Sequence, residues 1–121
     1  MYEFKDRVVA ITGGATGIGF ALAKAFGGEG AKIVIGEPRP EKLAEAADKL
    51  SALGVESDSI ILDVTKIDSV ECFADFAWQR HGIVDMLINN AGISGARGLL
   101  HEANLDEAHK VFDVNFFGVW H

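Results

Sequence analysis

The chain of 121 residues contains little cysteine, proline or basic charge. A single cysteine, Cys72, excludes a disulfide within the chain and fits a reducing compartment. Because its neighbours Val70 and Phe73 are apolar, we expect the Cys72 thiol to be buried and structural rather than nucleophilic. The net charge of −7 argues against nucleic acid or an anionic membrane as a partner.

Long apolar runs are also missing. No run approaches the roughly 20 residues that a membrane-spanning helix needs, and the polar N-terminus lacks the apolar core of a signal peptide. The four histidines do not have the spacing of metal ligands, so we expect no metal site. With a hydrophobic content of 49%, these absences predict a soluble, cytoplasmic globular protein.

What the sequence does contain is an alternation of short apolar runs with amphipathic segments. The apolar runs predict strands over residues 8–12, 32–35, 59–62 and 84–89. The amphipathic segments predict helices over residues 17–28, 41–53 and 67–81, and a fourth helix from Asn104 to the end. This alternation predicts an α/β fold, a Rossmann-like doubly wound parallel sheet with strand order 3-2-1-4.

The end of the chain predicts that this sheet is incomplete. The apolar stripe of the fourth helix, with Phe116 and Trp120, continues to the last residues without a capping signal. The fourth strand would also be an unpaired edge, which normally has a further partner. We therefore expect residues 1–121 to be part of one larger domain, with a naturally complete small domain as the alternative.

The residues that carry chemistry begin with the glycines after the first strand. Gly13, Gly17 and Gly19 lie between an apolar strand and a helix start, where backbone N–H groups and the helix dipole can bind a phosphate. A P-loop is excluded, because Phe20 and Ala21 follow Gly19 in place of Lys and Ser or Thr. The pattern predicts a dinucleotide site, with simple turn glycines as the alternative.

The nucleotide preference depends on the end of the second strand. Glu37 follows Gly19 by about 18 residues, near the position of the acidic residue that binds the adenosine ribose hydroxyls. A carboxylate there accepts a hydrogen bond from a free 2′-hydroxyl and repels a 2′-phosphate, which predicts NAD rather than NADP. Arg39 could instead reach a phosphate, and we expect Pro38 to direct the Glu37 and Arg39 side chains apart.

Four motifs in order resemble those of the short-chain dehydrogenase/reductase family, in its main branch of single-domain enzymes. They are the glycine spacing Thr12-Gly13-x-x-x-Gly17-x-Gly19, the pair Asp63-Val64, the run Asn89-Asn90-Ala91-Gly92, and Asn115. Together they cover nearly the whole chain. The resemblance implies an oxidoreductase that transfers a hydride between NAD and an alcohol or ketone, with this chain as the N-terminal, cofactor-binding part.

The resemblance also implies roles for individual residues. The cofactor-binding set is Gly13, Thr16, Gly17, Ile18, Gly19, Glu37, Asp63, Val64, Asn90, Ala91 and Gly92. Thr16 and Ile18 would lie against the pyrophosphate and Asp63 beside the adenine, although Asp63 could instead cap the next segment. Asn115 is the implied catalytic residue, because the family uses this asparagine to bend a helix and hold a water in a proton relay.

The family's catalytic serine, tyrosine and lysine lie beyond that asparagine. Here the only tyrosine is Tyr2, and no serine or lysine follows Asn115, so we expect no turnover from residues 1–121 alone. A non-catalytic nucleotide-binding module is the alternative function. A Rossmann-like methyltransferase is disfavoured, because Thr12 stands where that loop usually has an acidic residue. The resemblance further implies a homo-oligomer.

Overall fold

The computed structural model describes residues 3–91 of the chain. Within that range strands and helices alternate, as β1 (Val8–Thr12), α1 (Gly17–Gly28), β2 (Lys32–Glu37), α2 (Pro40–Ala52), β3 (Ser57–Ile61), α3 (Ile67–His81) and β4 (Met86–Asn89). The strands form one parallel sheet of order β3-β2-β1-β4, which confirms the predicted class and strand order. The predicted fourth helix, Gly92 and Asn115 lie outside the described residues.

β1 lies at the centre of this sheet. It pairs Val9 with Ile33 of β2 on one side and with Met86 of β4 on the other. Every residue of β1 is buried, as expected for a strand whose unbroken apolar run is covered on both faces. Burying each of its Val and Ile side chains contributes roughly 1.5–3 kcal/mol to folding.

Helices cover both faces of the sheet. On one face, Ala23 of α1 and Leu43, Ala46 and Leu50 of α2 pack against the strands. On the other face, Phe73 and Ala77 of α3 pack against Val8, Ala10 and Val34. The doubly wound arrangement follows from three amphipathic helices that each bury one stripe. Among residues 3–91 no helix has the length and apolar content needed to cross a bilayer.

β2 is longer than the sequence pattern predicts. The apolar run ends at Ile35, but Gly36 pairs with Thr12 and Glu37 pairs with Ile61, so the ladder continues for two more residues. Glycine has a low intrinsic tendency to form strands, which is why the pattern misses this extension. Leu62 fills the space beside Gly36 that a Cβ would need, and this packing accounts for a glycine at that position of the strand.

The expectation that the Cys72 thiol is buried is wrong. The thiol of Cys72 is exposed, because the buried stripe of α3 is set by Phe73 and Ala77 and leaves Cys72 on another side of the helix. Ile18, which has the spacing of the apolar stripe of α1, is 74% exposed. Gly19 and Ala23 are the buried residues of that helix instead.

The adjacent glycines at the end of α1 provide a test of this packing. An ideal Cβ on Gly27 would lie 2.8 Å from Cγ2 of Val55, whereas a Cβ on Gly28 would meet no atom within 4 Å. Gly27→Ala should therefore lower the free energy of unfolding by about 1–3 kcal/mol through overpacking. Gly28→Ala should raise it by up to about 1 kcal/mol through helix propensity. Urea unfolding of both variants measures the two changes, and equal changes would contradict the packing.

Candidate functional site

The polar residues predicted to bind a ligand gather at one edge of the sheet. Because all four strands are parallel, their carboxyl ends meet at this edge, where Thr12 pairs with Gly36 and with Asn89. Glu37 ends β2, and Asp63 follows the last residue of β3 by two positions. The topology therefore brings the glycines after β1, the carboxylates after β2 and β3, and the asparagines after β4 to the same side of the molecule.

The glycine loop, residues 13–19, can adopt its path only because it lacks side chains at three positions. Gly13 and Gly17 have φ angles of 67° and 56°, in the left-handed region that glycine tolerates best. Gly19 is buried, and an ideal Cβ there would overlap the carbonyl oxygen of Gly13 and lie 2.5 Å from Nδ2 of Asn90. The loop therefore folds tightly onto the start of α1.

The N-terminus of α1 is open to an anion. The helix begins at Gly17, and the preceding Thr16 makes no side-chain capping bond. The first turn holds no acidic residue, and an ideal Cβ on Gly17 would meet nothing within 4 Å. Thr16 and the first turn therefore supply no anionic partner to the first N–H groups and the positive end of the helix dipole, and helix N-termini of this kind bind phosphates. Ile18 lies exposed beside this opening.

Thr12 joins the glycine loop to the end of β4. Its hydroxyl oxygen accepts hydrogen bonds from the backbone N–H groups of Asn90 and Ala91, each at 3.0 Å. The side-chain amide of Asn90 then donates to the carbonyl oxygen of Gly13 at 3.1 Å. The sequence motif includes Thr12 but does not by itself indicate that its hydroxyl is a site residue. A hydroxyl at the end of a fully apolar strand was the available indication, because a buried polar group requires partners.

Glu37 and Arg39 pair directly, so the expectation that Pro38 would separate them is wrong. Nε of Arg39 donates to Oε1 of Glu37 at 2.7 Å, and its Nη2 donates to the hydroxyl of Thr16 at 3.2 Å. Pro38 constrains only its own backbone, and the long Arg39 side chain still folds back to the carboxylate. The hydrogen bond to Glu37, reinforced by its negative charge, raises the pKa of Arg39 above its ordinary value.

Asp63 is held by its own turn. Its Oδ1 accepts hydrogen bonds from the hydroxyl and the N–H of Thr65, at 2.6 and 3.0 Å, and its own N–H donates to Oγ of Ser69 at 2.9 Å. The Thr65 bonds, helped by the Lys66 ammonium, lower the pKa of the Asp63 carboxyl against the opposing effect of partial burial. Val64 is buried beside it. Oδ1 of Asp63 thus stabilises the turn between β3 and α3 by accepting both bonds from Thr65.

The structure connects the predicted residues in two groups. Gly13, Gly19 and Asn90 contact one another around Thr12, and Glu37 reaches Thr16 through Arg39. The hydrogen bonds of Asp63 to Thr65 and Ser69 stay within the segment from the end of β3 to the first turn of α3. Within residues 3–91 no three histidine, cysteine, aspartate or glutamate side chains gather as metal ligands would.

Comparison with known proteins places this geometry among dehydrogenases. A family model described as short chain dehydrogenase matches residues 7–121. The 1-deoxy-11-beta-hydroxypentalenate dehydrogenase of Streptomyces avermitilis is 39% identical over 120 residues, which cover 98% of this chain and 44% of that protein.

Two solved structures resemble this one closely. A short chain dehydrogenase/reductase from Burkholderia phymatum in complex with NAD has a TM-score of 0.93 and 38% identity, and the match covers all of this chain and 43% of that one. A variant of actinorhodin polyketide ketoreductase with NADPH has a TM-score of 0.90 and 31% identity over 95% of this chain and 44% of that one. The chain thus spans less than half the length of these relatives.

The Thr12 contacts predict a large effect of removing one hydroxyl. Thr12→Val keeps the shape but leaves the N–H groups of Asn90 and Ala91 without an acceptor, so the free energy of unfolding should fall by about 1–3 kcal/mol. Thr12→Ser retains the hydroxyl acceptor, so its free energy of unfolding should fall less. Denaturant unfolding measures both, and hydrogen exchange should accelerate at residues 90 and 91 in Thr12→Val alone. Equal stability of the two variants would contradict the assigned role.

The lowered pKa of Asp63 predicts a pH-dependent contribution to stability. A carboxyl with a depressed folded-state pKa stabilises the protein fully above its ordinary pKa of about 4, and the stabilisation is lost as pH falls through the folded-state value. The destabilisation caused by Asp63→Asn should therefore be largest near neutral pH and shrink as the pH falls below about 4. Thr65→Val should reduce this pH dependence. A destabilisation independent of pH would contradict the assignment.

Proposed function

The chain belongs to the short-chain dehydrogenase family, as its motifs predict, and on that premise we propose that it is the N-terminal, cofactor-binding part of an NAD-dependent oxidoreductase. The proposed reaction is hydride transfer between NAD and a small alcohol or ketone. The observation that carries the proposal is the glycine loop, where Gly13 and Gly19 close against Asn90 beside the open N-terminus of α1. The match of the family model over residues 7–121 supports the same reaction class.

The residues of this loop fit a dinucleotide. The absence of Cβ atoms at positions 13 and 19 keeps the loop folded tightly beneath the helix N-terminus, where a pyrophosphate would accept bonds from backbone N–H groups. Gly17, Thr16 and Ile18 flank that position, and the exposed side chain of Ile18 is available to cover the ligand. When bound, NAD supplies a nicotinamide carbon that accepts or gives up a hydride.

The adenosine end of the cofactor is assigned to the second and third strands. Glu37 would accept a hydrogen bond from the ribose, and Asp63 with Val64 would lie beside the adenine. The second oxygen of Asp63 is not bonded by Thr65; it lies 3.9 Å from Nζ of Lys66, and it is the oxygen proposed to accept a bond from the adenine. Related structures contain NAD in one case and NADPH in another, so the proposed preference for NAD depends on Glu37.

The residues after β4 are proposed to bind the other end of the cofactor and to take part in the reaction. Asn90, Ala91 and Gly92 complete the proposed cofactor contacts after β4. Asn115 is the proposed catalytic residue, holding a water for proton transfer. Because residues 1–121 contain no tyrosine other than Tyr2, the general acid and base would have to come from outside them. We therefore propose that residues 1–121 alone bind the cofactor but do not turn over substrate.

A non-catalytic nucleotide-binding module is the second candidate. The observation that favours it is the lack of a Tyr-x-x-x-Lys pair anywhere in the 121 residues. Both candidates share the cofactor site, and they differ in whether the intact protein reduces NAD in the presence of an alcohol. We further propose that the protein is a homo-oligomer. We also propose that it lies in the reducing environment of the cytoplasm, because its single cysteine is free.

Nucleotide titration tests the proposed cofactor site. In the intact protein, Gly19→Ala should weaken NADH binding at least about tenfold, or about 1.4 kcal/mol, because the added methyl group displaces the Gly13 carbonyl and opens the loop. Binding is measured by fluorescence or calorimetric titration, with circular dichroism to confirm that the variant is folded.

Gly28→Ala is the matched control, since it adds the same methyl group to the same helix in open space. It should leave the NADH affinity unchanged. An unaltered affinity in Gly19→Ala would contradict the proposed site. Formation of NADH from NAD on incubation with a panel of alcohols then separates the enzyme from the binding module.

A further inference from the structure

Arg39 forms a bridge between the two halves of the proposed cofactor site. Its Nε donates to Oε1 of Glu37 at 2.7 Å, and its Nη2 donates to Oγ1 of Thr16 at 3.2 Å. The backbone N–H of Arg39 donates to the same Glu37 oxygen at 3.3 Å. One guanidinium therefore ties the carboxylate at the end of β2 to the residue that precedes α1. We call these three contacts the Arg39 bridge.

The burial of Glu37 explains why the bridge is needed. The Glu37 side chain is only 2% exposed, whereas half of the Arg39 side chain is exposed. An isolated buried carboxylate is strongly unfavourable unless a cation or several donors compensate it. Within residues 3–91, Arg39 is the one cation that lies within 4 Å of Glu37. Loss of Arg39 would therefore leave the Glu37 carboxylate without its compensating cation and favour a rotamer that turns it towards water.

The bridge leaves one carboxylate oxygen of Glu37 for a ligand. Both donors from Arg39 reach Oε1, and no other donor of residues 3–91 contacts the carboxylate. Oε2 thus lies outside the contacts that make up the Arg39 bridge. A free carboxylate oxygen in a fixed position accepts a bond from a ribose hydroxyl and repels a phosphate.

On the basis of the proposed function, we propose that Arg39 is a positioning residue that holds Glu37 for the adenosine ribose of NAD, rather than a receptor for the 2′-phosphate of NADP. The guanidinium already uses Nε and Nη2 for Glu37 and Thr16. Using the same N–H edge for a phosphate would break these bonds and leave Glu37 unpaired. A residue that looks in the sequence like a phosphate ligand thus becomes a determinant of NAD preference.

Removing Arg39 separates the two roles, because they predict opposite changes in preference. In the intact protein, Arg39→Ala should weaken NADH binding about tenfold and NADPH binding less than about twofold, so that the preference narrows. If Arg39 were instead a receptor for the 2′-phosphate, Arg39→Ala would leave the NADH affinity unchanged and weaken NADPH binding. Titrations of each nucleotide into the parent and variant proteins measure both affinities.

Three controls distinguish positioning from a general effect on the fold. Lys42→Ala removes a cation near the start of α2 that pairs with Glu45 at 3.7 Å, and it should change neither affinity. Arg39→Lys keeps the charge but cannot reach Glu37 and Thr16 together, so it should resemble Arg39→Ala. In a Glu37→Gln background, Arg39→Ala should change the NADH affinity less than about twofold.

A nucleotide without the relevant hydroxyl completes the test. For NAD that lacks the adenosine 2′-hydroxyl, the loss of affinity caused by Arg39→Ala should be smaller than for NAD itself. This inference alone would be overturned if the parent protein binds NADH tightly and Arg39→Ala leaves that affinity unchanged. It would also be overturned if Arg39→Ala lowers the NADH affinity equally in the parent and in the Glu37→Gln background. Failure of the parent protein to bind either nucleotide would overturn the proposed function and this inference with it.

Discussion

At the carboxyl end of β1, the hydroxyl of Thr12 accepts hydrogen bonds from two successive backbone N–H groups, and the rest of the candidate site depends on this contact. It fixes the chain after β4 relative to the glycine loop. Asn90 is thereby held where its amide reaches the Gly13 carbonyl, and that carbonyl in turn limits the space at Gly19. A single buried hydroxyl thus aligns groups that are more than seventy residues apart in sequence.

The glycine loop has a structural reason for each glycine that the motif contains. Gly13 and Gly17 adopt left-handed backbone angles, and Gly19 is required by close packing rather than by its angles. The result is a helix that begins without a side-chain cap or an acidic residue in its first turn. The same sterics that fold the loop tightly also leave the helix N-terminus free for an anion.

The buried charge of Glu37 links the fold to the proposed preference for NAD. β2 carries this carboxylate to the end of the sheet only because its ladder extends through Gly36. Burial at that position makes the partner obligatory, and Arg39 supplies it from two residues away. The acidic and basic residues on either side of Pro38 therefore act as one unit, and we propose that their combined geometry decides which ribose substituent is tolerated.

The sequence by itself predicted the strand order, the edge of the sheet that carries the candidate site, and the family. These depend on local patterns: unbroken apolar runs such as β1, glycines at a strand end, and an asparagine pair at the end of β4. It could not predict that the Thr12 hydroxyl binds the backbone after β4, that Cys72 is exposed, or that the Arg39 side chain folds back to Glu37. Those features depend on which atoms meet across the sheet and on which face each helix buries. Only the tertiary structure decides such contacts, because burial determines which polar groups must find partners.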